Sequence, residues 1–347
     1  MRKKFSCASH KNTCQCYSDL DVKIRWTIIK SKEKRMKISN QGITVNKTVK
    51  SPKELHYEMV REGIPCRDPF ILLYDAKYYL YKRDITGTKI ACRVSEDLEN
   101  WSEEIIVYQP PKDFHGIKDL FWAPECHYYK GYFYIFTSVY SNKTNHRCIS
   151  VYRADNPLGP FEDVANGCIT PPEWDAIDGT LYVDEEGQPW MVFVHEWVSM
   201  PDGNGSFVAA KLSDDFTHFI SEPIHLFYAK ELENATMGVT DGCYMVKLDS
   251  GRLMMIWSNF TTKGYVIAKA YSQSGRIEGP WIQDGLLYEK DMYDFAKYCG
   301  GHGMIFQKKD GTFAITYHSP NWTPDSITER MQIHSVYETN NTLKLRK

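Results

Sequence analysis

The chain has 347 residues with 42 Lys and Arg against 44 Asp and Glu, a formal net charge of −2. That balance gives no electrostatic case for nucleic acid or an anionic membrane surface as partner, and no apolar run approaches the roughly 18 residues of a membrane-spanning helix. Hydrophobic content is 42 % and charged content 25 %, ordinary for a soluble globular protein, while the 23 Tyr and 9 Trp suit β-strands and sugar-stacking surfaces alike.

Residues 1–50 are rich in Lys, Ser and Asn and show no sustained period, so a poorly ordered extension is expected there, with residues 51–347 as the folded domain. Cys7, His10, Cys14 and Cys16 match no zinc spacing. Arg2, Lys3 and Lys4 are not followed by an apolar stretch, so no secretory leader is read. A cytoplasmic location and reduced thiols are expected for the ten scattered cysteines. A leader removed ahead of this sequence would reverse both expectations and make the protein extracellular.

From about Lys53 strand signals run to the end. YYLY, YFYIF, PWMVFV, RLMMIW and FAITYH are aromatic or β-branched runs, each preceded by a turn: Asp75-Ala76, Lys130-Gly131, Glu185-Glu186-Gly187, Asp249-Ser250-Gly251 and Asp310-Gly311. Each hairpin is followed by a further strand, as in KIACRVS and YVIAKAYS, and long helical periods are missing. Equivalent starting positions, Asp68, Ala123, Asp178, Asp241 and His302, are 55, 55, 63 and 61 residues apart. Five all-β units at such a period predict a five-bladed β-propeller.

The first strand of a propeller blade lines the central channel, so these five positions are predicted to form a ring. A lone Asp before Gly or Pro is commonly a turn residue. Three in register on one axis call for more, because crowded carboxylates must share protons, bind a cation or act on a ligand. Two carboxylates facing each other across a sugar are the apparatus of glycoside hydrolysis, and a third nearby can raise the acid's pKa.

The segments RDPF, FWAPE, AIDGTLYVDEEG, the Asp-Gly step of VTDGC, and GGHG resemble the blade starts of glycoside hydrolase family 43 over about Cys66 to Tyr337. The resemblance implies a five-bladed propeller that releases arabinofuranosyl, xylosyl or galactosyl units with inversion. It implies Asp68 as general base and Asp178 as pKa modulator. The family's acid is a Glu in a Glu-Gly-Pro step; here Asp241-Gly242-Cys243 stands in its place, and Asp241 is assigned as acid. Glu125 and Glu196 remain alternatives with longer reach.

The resemblance also implies an axial histidine, His302, which could hold Ca²⁺ only within a mostly oxygen shell. No cofactor is otherwise required. His318 suits either blade closure or the site. Trp122 and Trp197 are expected sugar platforms, with His195 beside Glu196 and with Trp174 and Trp322 on the rim. Trp101, Trp190, Trp257 and Trp281 are expected in the core. Arg67 is expected to pair with Asp68 or to bind a sugar hydroxyl. The resulting expectation is an exo-acting, inverting α-L-arabinofuranosidase acting on oligosaccharides or polysaccharide side chains. A β-xylosidase, an exo-galactosidase and a non-catalytic glycan-binding propeller are the alternatives.

Overall fold

The computed structural model describes residues 64–116, 121–287, 300–322 and 327–346. The expected extension over residues 1–50, with Cys7, His10, Cys14 and Cys16, lies outside the described residues. The rest forms five four-stranded antiparallel sheets, each from one contiguous stretch of chain. The first holds β1 (Phe70–Tyr74), β2 (Lys77–Arg83), β3 (Ile90–Ser95) and β4 (Ile105–Tyr108); the second β5 (Trp122–Tyr129), β6 (Tyr132–Tyr140), β7 (Arg147–Ala154) and β8 (Glu162–Cys168). The third holds β9 (Ala176–Val183), β10 (Pro189–His195), β11 (Ser206–Lys211) and β12 (Ile224–Tyr228); the fourth β13 (Asp241–Lys247), β14 (Leu253–Thr261), β15 (Gly264–Ser272) and β16 (Trp281–Leu286). The fifth holds β17 (Gly301–Gln307), β18 (Phe313–Trp322), β19 (Ile327–Thr339) and β20 (Thr342–Leu345). These are the blades of a five-bladed β-propeller, and the five sequence units are those blades.

The tight hairpins form where turn residues allow left-handed backbone. Asp75 and Ala76 take φ of 46° and 54°, and Lys130 and Gly131 take 46° and 91°, the conformation of two-residue loops that match strand twist. The outermost strands leave a weaker trace in the sequence. EDVANGC and WIQDGL carry no clean alternation, because their pairings slip at Ser150/Tyr152 and at Ala268/Ala270.

Each of four inner strands begins with a bulge of two residues against one. In β5 the pairing jumps from Trp122–Ser138 to Glu125–Phe136, and in β9 from Ile177–Val194 to Thr180–Val192. In β13 it jumps from Asp241–Ser258 to Tyr244–Ile256, and in β17 from Gly301–His318 to Met304–Thr316. The first bulge residue is left-handed: Ala123 at φ 44°, Asp178 at 56°, Gly242 at 55° and His302 at 48°, with Asp68 at 50° in the first blade. The ring is therefore Asp68, Ala123, Asp178, Gly242 and His302. This corrects the register read from sequence: Asp241 is the paired residue just before the bulge. The bulge re-aims each side chain at the channel mouth.

The bulges also stitch neighbouring blades. The backbone N–H of Asp178 donates to Ser138 Oγ of the preceding blade at 2.9 Å, and that of His302 donates to Ser258 Oγ at 2.8 Å. The Asp68 N–H meets His318 Nδ1 at 3.3 Å. Ser138, Ser258 and His318 occupy one register position, opposite Trp122, Asp241 and Gly301. The third blade has Val194 there, which cannot accept, and Gly242 N–H turns instead to Asp178 Oδ2 at 3.0 Å.

Hydrophobic clusters bridge successive blades, as where Trp257 of β14 packs edge-on against Phe207 of β11 at 5.3 Å. Trp190, Trp257 and Trp281 are buried as expected, and Trp101 packs against the first cluster. The ring closes where residues just ahead of β1 bridge β19 at Pro65–Arg330, with Cys66 N–H donating to Glu329 O at 3.0 Å and Met331 N–H to Ile64 O at 2.9 Å. Trp322, expected on a loop, ends β18. Reduced thiols are not the whole picture either. β7 and β8 bring Cys148 and Cys168 side by side as a disulfide across 20 residues of sequence, while Cys66, Cys92, Cys126 and Cys243 are free and buried.

Candidate active site

Four inner-strand starts bring Asp68, Asp178, Asp241 and His302 together at one end of the channel. His302 Nδ1 stands 3.3 Å from Asp68 Oδ1 and 3.5 Å from Asp178 Oδ2. His318 Nδ1 is 3.1 Å from Asp68 Oδ1, and Arg67 Nε is 3.6 Å from Asp68 Oδ2. Burial alone would raise the Asp68 pKa. The His302 charge, the His318 hydrogen bond and Arg67 outweigh it and hold this carboxyl well below the usual carboxylate range. Burial would likewise lower His302, but Asp68 and Asp178 hold it above its ordinary value. Arg67 also pairs with Glu329, its Nη1 lying 3.0 Å from Glu329 Oε1.

Asp241 is displaced the opposite way. Burial and the neighbouring Asp178 push it up to about 7, against the pull of His302, Arg67 and a hydrogen bond from Tyr265. Tyr265 Oη donates to Asp241 Oδ2 at 3.0 Å. Asp178 is also raised, by burial first and by Asp68. Asp178 is 4 % exposed and His302 6 %, and Asp68 and Asp241 are slightly more open. One carboxyl held toward its charged form and one shifted toward its neutral form thus meet at the channel mouth beside the buried Asp178 and His302, an arrangement able to accept one proton while delivering another.

The two alternative acids have partners of their own. Glu125, two residues past the ring position, is buried and bound to His127 Nε2 at 3.1 Å. His127 lies two residues further along β5. Glu196 follows β10 and is buried beside Arg147, whose Nε lies 3.9 Å from Glu196 Oε2. Burial, with Asp175, Asp241 and Asp178, pushes Glu196 up to about 8, although Arg147 opposes the shift.

The expected sugar platforms are otherwise engaged. The Arg147 guanidinium covers Trp122 at 3.2 Å from the ring centre, so that face serves a cation. Trp197 packs against the core between the third and fourth blades. His195 is stacked on Trp174 at 4.0 Å with rings 9° from parallel.

The donor set at His302 does not by itself suit Ca²⁺. The ion takes six to eight oxygens, and among the described residues no group of three or more His, Cys, Asp or Glu is placed to hold a metal. His302 Nδ1 lies between Asp68 and Asp178, and their charges favour its protonated form.

Tyr265 and Arg147 did not emerge from the sequence. Tyr265 opens the alternating strand YVIAKAYS, where nothing marks one Tyr among 23. Arg147 opens β7 after the short β6–β7 connection within the second blade, and nothing in the sequence marks it among the other arginines.

Comparison with known proteins follows the same lines. The family model for glycosyl hydrolases family 43 matches residues 64–339. An extracellular exo-α-(1→5)-L-arabinofuranosidase of Cellvibrio japonicus is 28 % identical over 190 residues, 50 % of this chain and 51 % of that protein. This chain thus spans about half the length of that curated relative. The structure of an endo-arabinase from Bacteroides thetaiotaomicron superposes with a TM-score of 0.70 at 36 % identity, covering 80 % of this chain and 96 % of that one. An endo-1,4-β-xylanase structure from the same organism gives 0.67 at 26 % identity, over 82 % and 95 %.

Proposed function

The chain belongs to glycosyl hydrolases family 43 and is a glycosidase, and from that premise we propose that it cleaves α-L-arabinofuranosyl linkages from chain ends, inverting the anomeric centre. The observation that carries the reading is the opposed pair at the channel mouth: Asp68 held ionised and Asp241 raised to about 7. Asp68 takes a proton from water as that water attacks the anomeric carbon. The glycosidic C–O bond breaks on the opposite face, and Asp241 gives its proton to the departing oxygen. Asp178 keeps Asp241 protonated by its own charge and orients the bulge through Gly242 N–H. His302 holds Asp68 and Asp178 in place. Both proton transfers use side chains, and no cofactor is required.

Support for arabinofuranosyl substrates comes from likeness to two arabinan-cleaving proteins, one of them an exo-arabinofuranosidase. A second reading, internal cleavage, is favoured by the 36 % identity to an endo-arabinase. Nitrophenyl arabinofuranoside, xyloside and galactoside, together with linear arabinan, test both. Release of arabinose alone from arabinan is expected, and proton NMR should show the inverted anomer first. A ladder of arabinan oligomers would move the reading to endo cleavage. Hydrolysis of the xyloside or galactoside alone would overturn the sugar assignment, and a retained anomer would overturn the mechanism.

A further inference from the structure

Beside the catalytic carboxylates lies a second polar pair that the two proton transfers do not use. Arg147 opens β7 and Glu196 follows the end of β10, so both stand at the rim where the inner strands begin. Their side chains are 9 % and 7 % exposed, similar to 12 % for Asp68 and 6 % for Asp178. Nε and Oε2 are 3.9 Å apart, too far for a good hydrogen bond. Arg147 Nη1 and Glu196 Oε2 are both buried without a hydrogen-bond partner, and so is Nε2 of the adjoining His195. A desolvated polar atom left unpaired is costly, and more so when charged. Arg147 and Glu196 bring two such atoms into one close pair.

The surroundings hold this pair rigid. The Arg147 guanidinium is laid flat on Trp122, 3.2 Å from the ring centre, a cation–π contact that fixes its plane. Asp175 grips the local backbone through Arg147 N–H at 2.8 Å, and its own carbonyl accepts Glu196 N–H at 2.7 Å. Glu196 feels the charges of Asp241 and Asp178, and Arg147 that of Asp178. The pair therefore borders the space where a sugar must sit for Asp68 and Asp241 to act.

Resting on the glycosidase reading above, we propose that Arg147 and Glu196 bind adjacent hydroxyl groups of the glycone and set which sugar the site accepts. The guanidinium donates to one hydroxyl oxygen, and the carboxyl exchanges a hydrogen bond with the next. Trp122, in place of stacking on sugar, is the platform for the arginine.

The test pairs enzyme and substrate deletions. Nitrophenyl arabinofuranoside, xyloside and galactoside are screened first, and the glycoside that the parent hydrolyses is compared with its 2-deoxy and 3-deoxy forms. For the parent, removing a recognised hydroxyl should lower kcat/KM by roughly 100-fold. Glu196→Gln and Arg147→Met should lose a similar factor on the full sugar and little more on the matching deoxy sugar. Additive losses, or variants that discriminate as the parent does, would overturn the proposal. Thermal melts check folding. Glu196→Asp and Arg147→Lys, which keep charge but change reach, should show the same non-additivity if either first variant fails to fold. A parent active only on the xyloside would overturn the arabinofuranosyl reading while the deoxyxylosides still decide this one. A parent inactive on all three would overturn both.

Discussion

Tyr265 Oη donates to Asp241 Oδ2 at 3.0 Å, while the Tyr265 ring stacks beside His318 at 5.7 Å between centres. The bond occupies one carboxyl oxygen and leaves the other for the proton of the proposed acid. A donor hydrogen bond favours the charged carboxylate, so its loss raises the Asp241 pKa further. Tyr265→Phe keeps the ring and removes the donor. The alkaline limb of kcat/KM against pH should move upward from its position near 7, and the plateau should fall roughly 10-fold as the acid loses its fixed orientation. An unmoved alkaline limb would separate Asp241 from the proton transfer.

Asp241 is one methylene shorter than the Glu found at the family's acid position. If it delivers the proton, its removal matters in proportion to how much the leaving group needs one. Asp241→Ala should cut kcat/KM about 1,000-fold on arabinobiose but 10-fold or less on a dinitrophenyl arabinofuranoside, which departs unprotonated. The same leaving-group dependence in Glu196→Ala, with none in Asp241→Ala, would move the acid to Glu196. Asp68→Ala should lose activity on both substrates alike, because water activation is needed whatever departs.

With Asp68 as the proposed base, the acid limb of kcat/KM reports its ionisation. His302, His318 and Arg67 hold it below the usual carboxylate range, so the parent's activity should persist at pH values below about 3.9, the ordinary Asp pKa. His318→Phe removes one stabiliser of the charged form, and the acid limb should move up by about one unit. A limb that stays in place would place the base elsewhere.

The repeat was legible because every inner hairpin writes itself twice, as a turn and as an aromatic run: Asp75-Ala76 before YYLY, Lys130-Gly131 before YFYIF. Asp68, Asp178 and His302 were legible for the same reason, each sitting at the start of a blade. The fourth-blade position was misread by one residue, since a bulge shows in the pairing of Asp241–Ser258 and Tyr244–Ile256 and leaves no mark on composition. Sequence spacing finds carboxylates more readily than it finds what occupies an aromatic face, and Trp122 was read as a sugar platform for want of knowing that Arg147 covers it. Tyr265 and Arg147 reach the site from β15 and β7, second-order neighbours that only tertiary packing brings in.

Gly242 supplies a sharper test of that register. Its φ is 55°, and a Cβ there would stand 2.6 Å from His302 Cα and 2.7 Å from His302 Cγ. Ala123 tolerates a similar φ of 44° in the second blade, so it is close approach to His302 that demands glycine, more than the backbone angle. Gly242→Ala should lower stability by about 2–4 kcal/mol and kcat by more than 10-fold, through displacement of His302 from Asp68 and Asp178. Ala123→Gly, at the equivalent bulge, should cost about 1 kcal/mol or less. Equal effects at the two positions would contradict the assigned ring.

Glu196 offers a stability readout independent of any substrate. Its pKa in the folded protein is raised to about 8, against about 4.3 for an unfolded Glu. Between those values the folded chain holds a proton that the unfolded chain has released, so stability falls as pH rises through the window, and the penalty is complete above it. Glutamine keeps the volume and cannot ionise. The difference in melting temperature between Glu196→Gln and the parent should therefore climb from pH 5 to pH 9 by roughly 5 °C, the size expected from a few kcal/mol in a domain this large. Asp241 contributes a slope of the same sign, but it is present in both proteins and cancels in the difference. A flat difference curve would mean that Glu196 ionises freely in the fold, with Arg147 near enough to neutralise it, and the two would then form an ordinary ion pair.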